Sequence, residues 1–86
     1  MTSAQIKKQL QAAFETAGIY PSKVVAKKNG TVEVTKGYFY RHGQTSQMWA
    51  DRVQSFLPEG LVVVDHRDDW RVWPKDSEFV AVVAPA

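Results

Sequence analysis

Between residues 23 and 36 the chain reads Lys-Val-Val-Ala-Lys-Lys, then Asn29-Gly30, then Thr-Val-Glu-Val-Thr-Lys. Two β-branched runs separated by Asn-Gly form the strongest short-range hairpin pattern in the chain, because glycine and asparagine accept the positive φ values of a tight turn. A type I′ turn predicts that Lys28 faces Thr31 and Val25 faces Val34. In that register Val25, Val32 and Val34 share the inward face, with Lys27 near the tip.

A hairpin alone is marginal in water, so the remaining segments must supply a face for it to pack against. Thr2 and Gln5 stand in capping-box spacing, and Ile6, Leu10, Ala13, Phe14 and Ala17 follow at helical intervals. Gly18 suits the position after a helix, and Pro21 cannot continue one, so a helix is predicted over about residues 3 to 17. Thr45 or Ser46 caps a second helix, with Trp49, Val53, Phe56 and Leu57 as its apolar stripe and Pro58-Glu59-Gly60 as its stop. Leu61 to Val64 reads as a buried strand, Asp65 to Asp69 as a polar turn, and Trp70 to Trp73 as a short strand ended by Pro74. Lys75-Asp76-Ser77 reads as a turn and Phe79 to Val83 as the final strand.

The predicted order is helix, strand, strand, helix, strand, strand, strand. That is an α+β fold with a mainly antiparallel sheet and both helices packed over it. The final strand is too apolar for an uncovered edge, so it is expected either at the centre of the sheet or paired with a second chain. Gly37 can bend the chain or supply a bulge before Tyr38-Phe39-Tyr40.

All 86 residues are expected in a single domain, because a chain of this length buries only about 60 to 65% of its unfolded surface and cannot divide that between two cores. Apolar residues at 44% and charged residues at 23% are those of a folded chain rather than a disordered one. The absence of cysteine excludes disulfides and thiolate metal sites, which fits a cytoplasmic setting. No signal-peptide pattern opens the chain, and no apolar run approaches the roughly 20 residues that span a bilayer, so no membrane association is expected.

The net charge of +2 hides an asymmetry. Residues 1 to 43 hold seven Lys/Arg against two Asp/Glu, and residues 44 to 86 hold four against seven. A chain so polarised can steer a polyanion with its basic part, which the acidic part would repel if both faced the same way.

Arg41-His42-Gly43-Gln44-Thr45 resembles the N-terminal signature of the histidine phosphatase and phosphoglycerate mutase superfamily. The resemblance implies phosphoryl transfer through His42, with Arg41 balancing charge on the phosphoryl oxygens. It covers five residues. The further arginine, acid and histidine motifs of that family are missing, and its larger α/β sheet cannot be built from 86 residues. Arg41 to Gly43 therefore reads as the loop between a strand and the second helix, and no catalytic residue is assigned.

His42, Asp65, His66, Asp68 and Asp69 supply oxygen and imidazole groups but no metal-ligand spacing, so neither a metal nor a cofactor is expected. Lys23, Lys27, Lys28, Lys36 and Arg41 lie on or beside the hairpin, close in sequence to Tyr38, Phe39 and Tyr40. This is a generic nucleic-acid pattern of cations for phosphates and aromatics for bases. Trp70 and Trp73 point to opposite faces of their predicted strand, which places one of them at the surface, where tryptophan anchors protein contacts.

Asn-Gly-Thr-Val-Glu-Val before Gly-Tyr-Phe-Tyr-Arg-His-Gly, with Asp-Asp-Trp before Trp-Pro, is loosely similar to small uncharacterised proteins of phages and other mobile elements. The similarity implies an accessory or inhibitor-like protein acting on a macromolecule. The expected function is accordingly a non-enzymatic protein-binding module, monomeric or homodimeric, with Tyr38, Tyr40, Arg41, Trp70, Arg71 and Trp73 as contacts. Nucleic-acid binding through the lysine hairpin is the alternative.

Overall fold

In the computed structural model of the chain, residues 2–36, 45–69 and 78–86 are described. Their elements run α1 (Ser3–Ala17), β1 (Lys23–Ala26), β2 (Val32–Lys36), α2 (Ser46–Phe56), β3 (Leu61–Asp69) and β4 (Glu78–Pro85). The predicted strand at Trp70 to Trp73, the turn at Lys75 to Ser77, the Gly37 bend and the Arg41–Gly43 loop all lie outside the described residues.

Each helix begins where its side chains satisfy free backbone donors. The Thr2 hydroxyl accepts from the Gln5 N–H while the Gln5 side chain accepts from the Thr2 N–H, completing the capping box. Gly18 then closes α1 in the left-handed conformation at φ 73°, and its N–H reaches back to the Glu15 carbonyl. Thr45 caps α2 by accepting from the Met48 N–H. Ile6, Leu10 and Phe14 of α1 and Trp49, Ala50 and Val53 of α2 are buried against the sheet. Two predicted stripe members differ: Ala17 is exposed in the last turn of α1, and Phe56 is 38% exposed. With Trp49, Ala50 and Val53 inward, residue 56 falls on the flank of the helix, whereas Leu57 packs on the core.

The four strands form one antiparallel sheet in the order β1-β2-β4-β3. β4 is central, as one of the two expectations for an apolar final strand required. Phe79, Ala81 and Val83 face the helices and join Val32, Val34, Leu61 and the helix residues in the core. α1 contacts mainly β1, and α2 lies over β3 and β4, so both helices cover one face. The thinnest dimension of 17 Å fits a single helix layer on a single sheet.

The hairpin register is one residue away from the sequence expectation. Val24 faces Val34 and Val25 faces Glu33, so Val24 packs on the core and Val25 points to the opposite face of the sheet. The turn holds three residues, Lys28, Asn29 and Gly30. The Gly30 N–H donates to the Lys27 carbonyl, and Lys27 and Thr31 are joined by a backbone bond of 2.8 Å. Asn29 Oδ1 accepts from both the N–H and the hydroxyl of Thr31, at 3.1 and 2.6 Å, and Gly30 sits at φ 87°. That side-chain bonding favours the longer turn over the two-residue one, and a one-residue change of register exchanges the two faces of the strand.

The polar turn expected at Asp65 to Asp69 is instead the second half of β3, which pairs with β4 through Asp69↔Glu78. A bulge at Val64 separates the two halves. Beyond it, Asp65, Arg67 and Asp69 point to the helix-free face and His66 points to α2. Pairing with β4 satisfies the backbone, and Arg67 and His66 bond Glu33 and Ser46, which together override the poor strand propensity of aspartate.

The register gives a direct test by chemical denaturation. Val24→Thr is expected to lower stability by about 1–2 kcal/mol by placing a hydroxyl in the core. Val25→Thr should stay within about 0.5 kcal/mol. The reverse ranking would restore the two-residue turn.

Candidate functional site

The strand directions bring one end of the sheet into focus. Lys36 at the end of β2 lies beside Phe79 of β4, and Asp69 at the end of β3 pairs with Glu78. Thr45 opens α2 at that same end. Consequently the stretches 37–44 and 70–77 are both joined to the described fold at one end of the sheet. Tyr38, Tyr40, Arg41, His42, Trp70, Arg71 and Trp73 belong to these stretches and lie outside the described residues.

Two exposed apolar side chains flank the first stretch. Tyr20, 74% exposed, follows α1, and its carbonyl accepts from Lys36 Nζ at 3.5 Å, so it stands at the end of β2. Met48, 52% exposed, occupies the first turn of α2 just after Thr45. The sequence reading missed both. An isolated Tyr-Pro after a helix and a methionine among polar helix residues carry no local signal, and only the topology places them at the end where the aromatic-rich stretches are joined.

The lysines of the hairpin are divided. Lys23 and Lys27 reach acids on the helix-free face, with Lys23 Nζ 3.6 Å from Glu78 and Lys27 Nζ 3.8 Å from Glu33. Lys28 stands exposed in the turn, and Lys36 Nζ turns toward Tyr20. These four cations therefore do not form one continuous basic patch.

The helix-free face is organised by Glu33. Arg67 on β3 holds its carboxylate with both guanidinium branches, at 2.8 and 3.4 Å, although β4 lies between their strands. The hydrogen bond from Arg67, followed by the charges of Arg67, Lys27 and Lys23, holds the Glu33 carboxyl below its ordinary value of 4.5, against the opposing pull of burial.

On the helix side, Ser46 Oγ and His66 Nδ1 share a hydrogen bond of 2.9 Å. The spacing is that of a nucleophile and its base. Ser46 is only 7% exposed, however, and the Asp65 carboxylate accepts from the His66 backbone N–H rather than from the ring. The pair ties the start of α2 to β3. Beside it a cleft of about 280 Å³ opens between α2 and β3, lined by Gln47, Asp51, Gln54, Val64, Asp65 and His66. Gln54 spans its floor by accepting from the Val63 N–H at 2.9 Å. Among the described residues, no group of three or more His, Asp or Glu side chains is placed to hold a metal ion. Nor is any described helix long and apolar enough to cross a membrane.

Compared with family models, curated proteins and solved structures, the chain matches none.

Because the Glu33 carboxyl is depressed in the folded state, its stabilising contribution is complete above the unfolded-state value and disappears as pH falls through the folded one. Glu33→Gln should therefore melt below the wild type at neutral pH. The gap should narrow steadily as pH drops below about 4.5. A gap independent of pH would show that the charge of Glu33 contributes nothing.

Proposed function

We propose that this protein is a non-enzymatic module that binds another protein through the end of the sheet where stretches 37–44 and 70–77 are joined. The observation that carries this reading is the exposure of Tyr20 beside Lys36, with Met48 on the other flank of the same stretch. Large apolar side chains left in water at a place joined to further aromatics are what a protein interface requires at its centre. By sequence, Tyr38, Tyr40, Trp70 and Trp73 would add aromatic anchors there, and Arg41 and Arg71 would add the cation most used at such anchors.

The alternative, nucleic-acid binding through Lys23, Lys27, Lys28 and Lys36, receives less support. Two of those lysines lie beside carboxylates, and the four do not point one way. Phosphate binding gains from cations that act together on one backbone. An accessory role, in which the module occupies the surface of a cytoplasmic macromolecule, accords with the lack of cysteine.

The test is a pair of binding measurements. Immobilised wild-type chain should retain a stoichiometric protein partner through a wash of about 0.3 M salt, since an aromatic-centred contact is screened little. Tyr20→Ser and Trp73→Ala, each with an unchanged melting curve, should retain at least about tenfold less. In parallel, anisotropy titrations with labelled single- and double-stranded DNA and RNA should show no binding. Tight, steeply salt-dependent nucleic-acid binding abolished by changing Lys23, Lys27 and Lys28 to Glu would overturn the reading.

A further inference from the structure

The sheet order turns the charge asymmetry of the sequence into an asymmetry of space. α1, β1 and the hairpin turn, on one side, carry Lys7, Lys8, Lys23, Lys27 and Lys28 against Glu15. α2, β3 and the turn between them, on the other side, carry Asp51, Glu59, Asp65, Asp68 and Asp69 against Arg52 and Arg67. β1 and β3 are also the two edge strands, each with a strand neighbour on one side only among the described residues.

Directions along the sheet add a second constraint. Every adjacent pair is antiparallel, so the four strands alternate and β1 runs opposite to β3. A second copy in the same orientation, displaced sideways, therefore brings its β1 antiparallel to β3 of the first. Its helices fall on the same face as those of the first copy. A basic edge then meets an acidic one.

We infer that the chain associates with copies of itself head to tail, the β1 edge of one copy adding to the β3 edge of the next. The usable stretch of β3 is Asp65 to Asp69, because the Val64 bulge interrupts the strand and Gln54 already takes the Val63 N–H. Five residues match the short β1, Lys23–Ala26, and its continuation at Lys27. Strand faces restrict the register. Lys23 and Val25 lie on the helix-free face with Arg67 and Asp65, since Lys23 is aligned through Thr35 and Val80 with Arg67, and Val25 through Glu33 and Val82 with Asp65. A shift of two residues keeps those faces and sets Lys23 opposite Asp69, Val25 opposite Arg67 and Lys27 opposite Asp65. Both lysines, which remain half-exposed beside Glu78 and Glu33 of their own chain, are then opposed by aspartates across the edge, an arrangement that stabilises neighbouring strands.

Like-with-like contacts are disfavoured by the same charges, since two β3 edges would set aspartates against aspartates and two β1 edges lysines against lysines. The contact is heterologous and does not close on itself, so it builds short open rows rather than a twofold dimer.

The experiment is carbodiimide cross-linking of the whole wild-type chain, mixed from ¹⁴N and ¹⁵N preparations so that links between copies are recognised by mass. Sedimentation equilibrium is run beside it. The expected result is mixed-isotope links joining Lys23 to Asp69 and Lys27 to Asp65, with self-association weakening about tenfold or more when salt rises from about 0.05 M to about 0.5 M. Chains carrying Lys23→Glu with Lys27→Glu, or Asp65→Lys with Asp69→Lys, should each be monomeric alone and associate when mixed. A wild type that remains monomeric at high concentration and low salt would overturn the inference. So would mixed-isotope links confined to other residues, or reversed-charge chains that fail to associate with each other.

Discussion

The placement of β4 decides the rest of this fold. Phe79, Val80, Ala81 and Val83 are buried on both faces of the strand, the phenylalanine and each valine contributing on the order of 1.5–3 kcal/mol when removed from water. A strand buried on both faces needs a neighbour at each edge to satisfy its backbone. β2 and β3 supply them. Without β4 the N-terminal hairpin and β3 would share no sheet, and α1 and α2 would have no common surface to cover. Trp49 secures one helix to this arrangement by donating its indole N–H to the buried Val34 carbonyl at 3.0 Å, so the second helix is tied to β2 as well as to the strands directly beneath it.

The helix-free face is held by different means. Val80 and Thr35 are buried there although neither helix covers that side. Arg67 starts opposite Val80 and ends on Glu33, so its aliphatic stem crosses β4 before the guanidinium meets the carboxylate. A long cationic side chain can cover apolar surface while its head remains wet. A half-exposed ion pair contributes little on its own, about 1 kcal/mol or less, but this one joins β3 to β2 across their common neighbour. Glu33 thereby acts as the meeting point of three strands, with Lys27 approaching from the β1 side.

Where the sequence carried a local physical signal, the fold was legible. Thr2 with Gln5, Gly18 and Thr45 marked helix ends through backbone hydrogen bonding, and Ile6, Leu10, Phe14, Trp49 and Val53 marked inward faces through spacing. The α+β class and the antiparallel sheet followed from those marks, while the apolar run Phe79 to Val83 left the last strand either at the centre of the sheet or paired with a second chain. Features settled by tertiary partners were not legible. The strand character of Asp65 to Asp69 depends on β4 lying alongside, and the register of Val24 and Val25 depends on an Asn29 side chain that bonds Thr31 instead of leaving a two-residue turn. At the candidate site, Tyr38, Tyr40, Trp70 and Trp73 attracted attention through residue type alone. Tyr20 and Met48 gained theirs only from the topology, and the Ser46–His66 bond joins residues twenty positions apart that no motif connects.

The separation of charge also follows from β4 rather than from composition. Acidic and basic blocks in a sequence are ordinarily mixed by folding, because successive elements end up interleaved. Here the crossover places β4 next to β2, which keeps α1, β1 and β2 contiguous on one side and leaves β3 outermost on the other. Had β3 paired with β2 instead, β4 would have become the edge, and an apolar strand would have been exposed where aspartates now stand. The actual order hides the apolar strand and gives each edge, among the described residues, a charge that repels its own kind. Charge at each edge therefore favours an added strand of the opposite sign, which is the sign the chain's other edge carries.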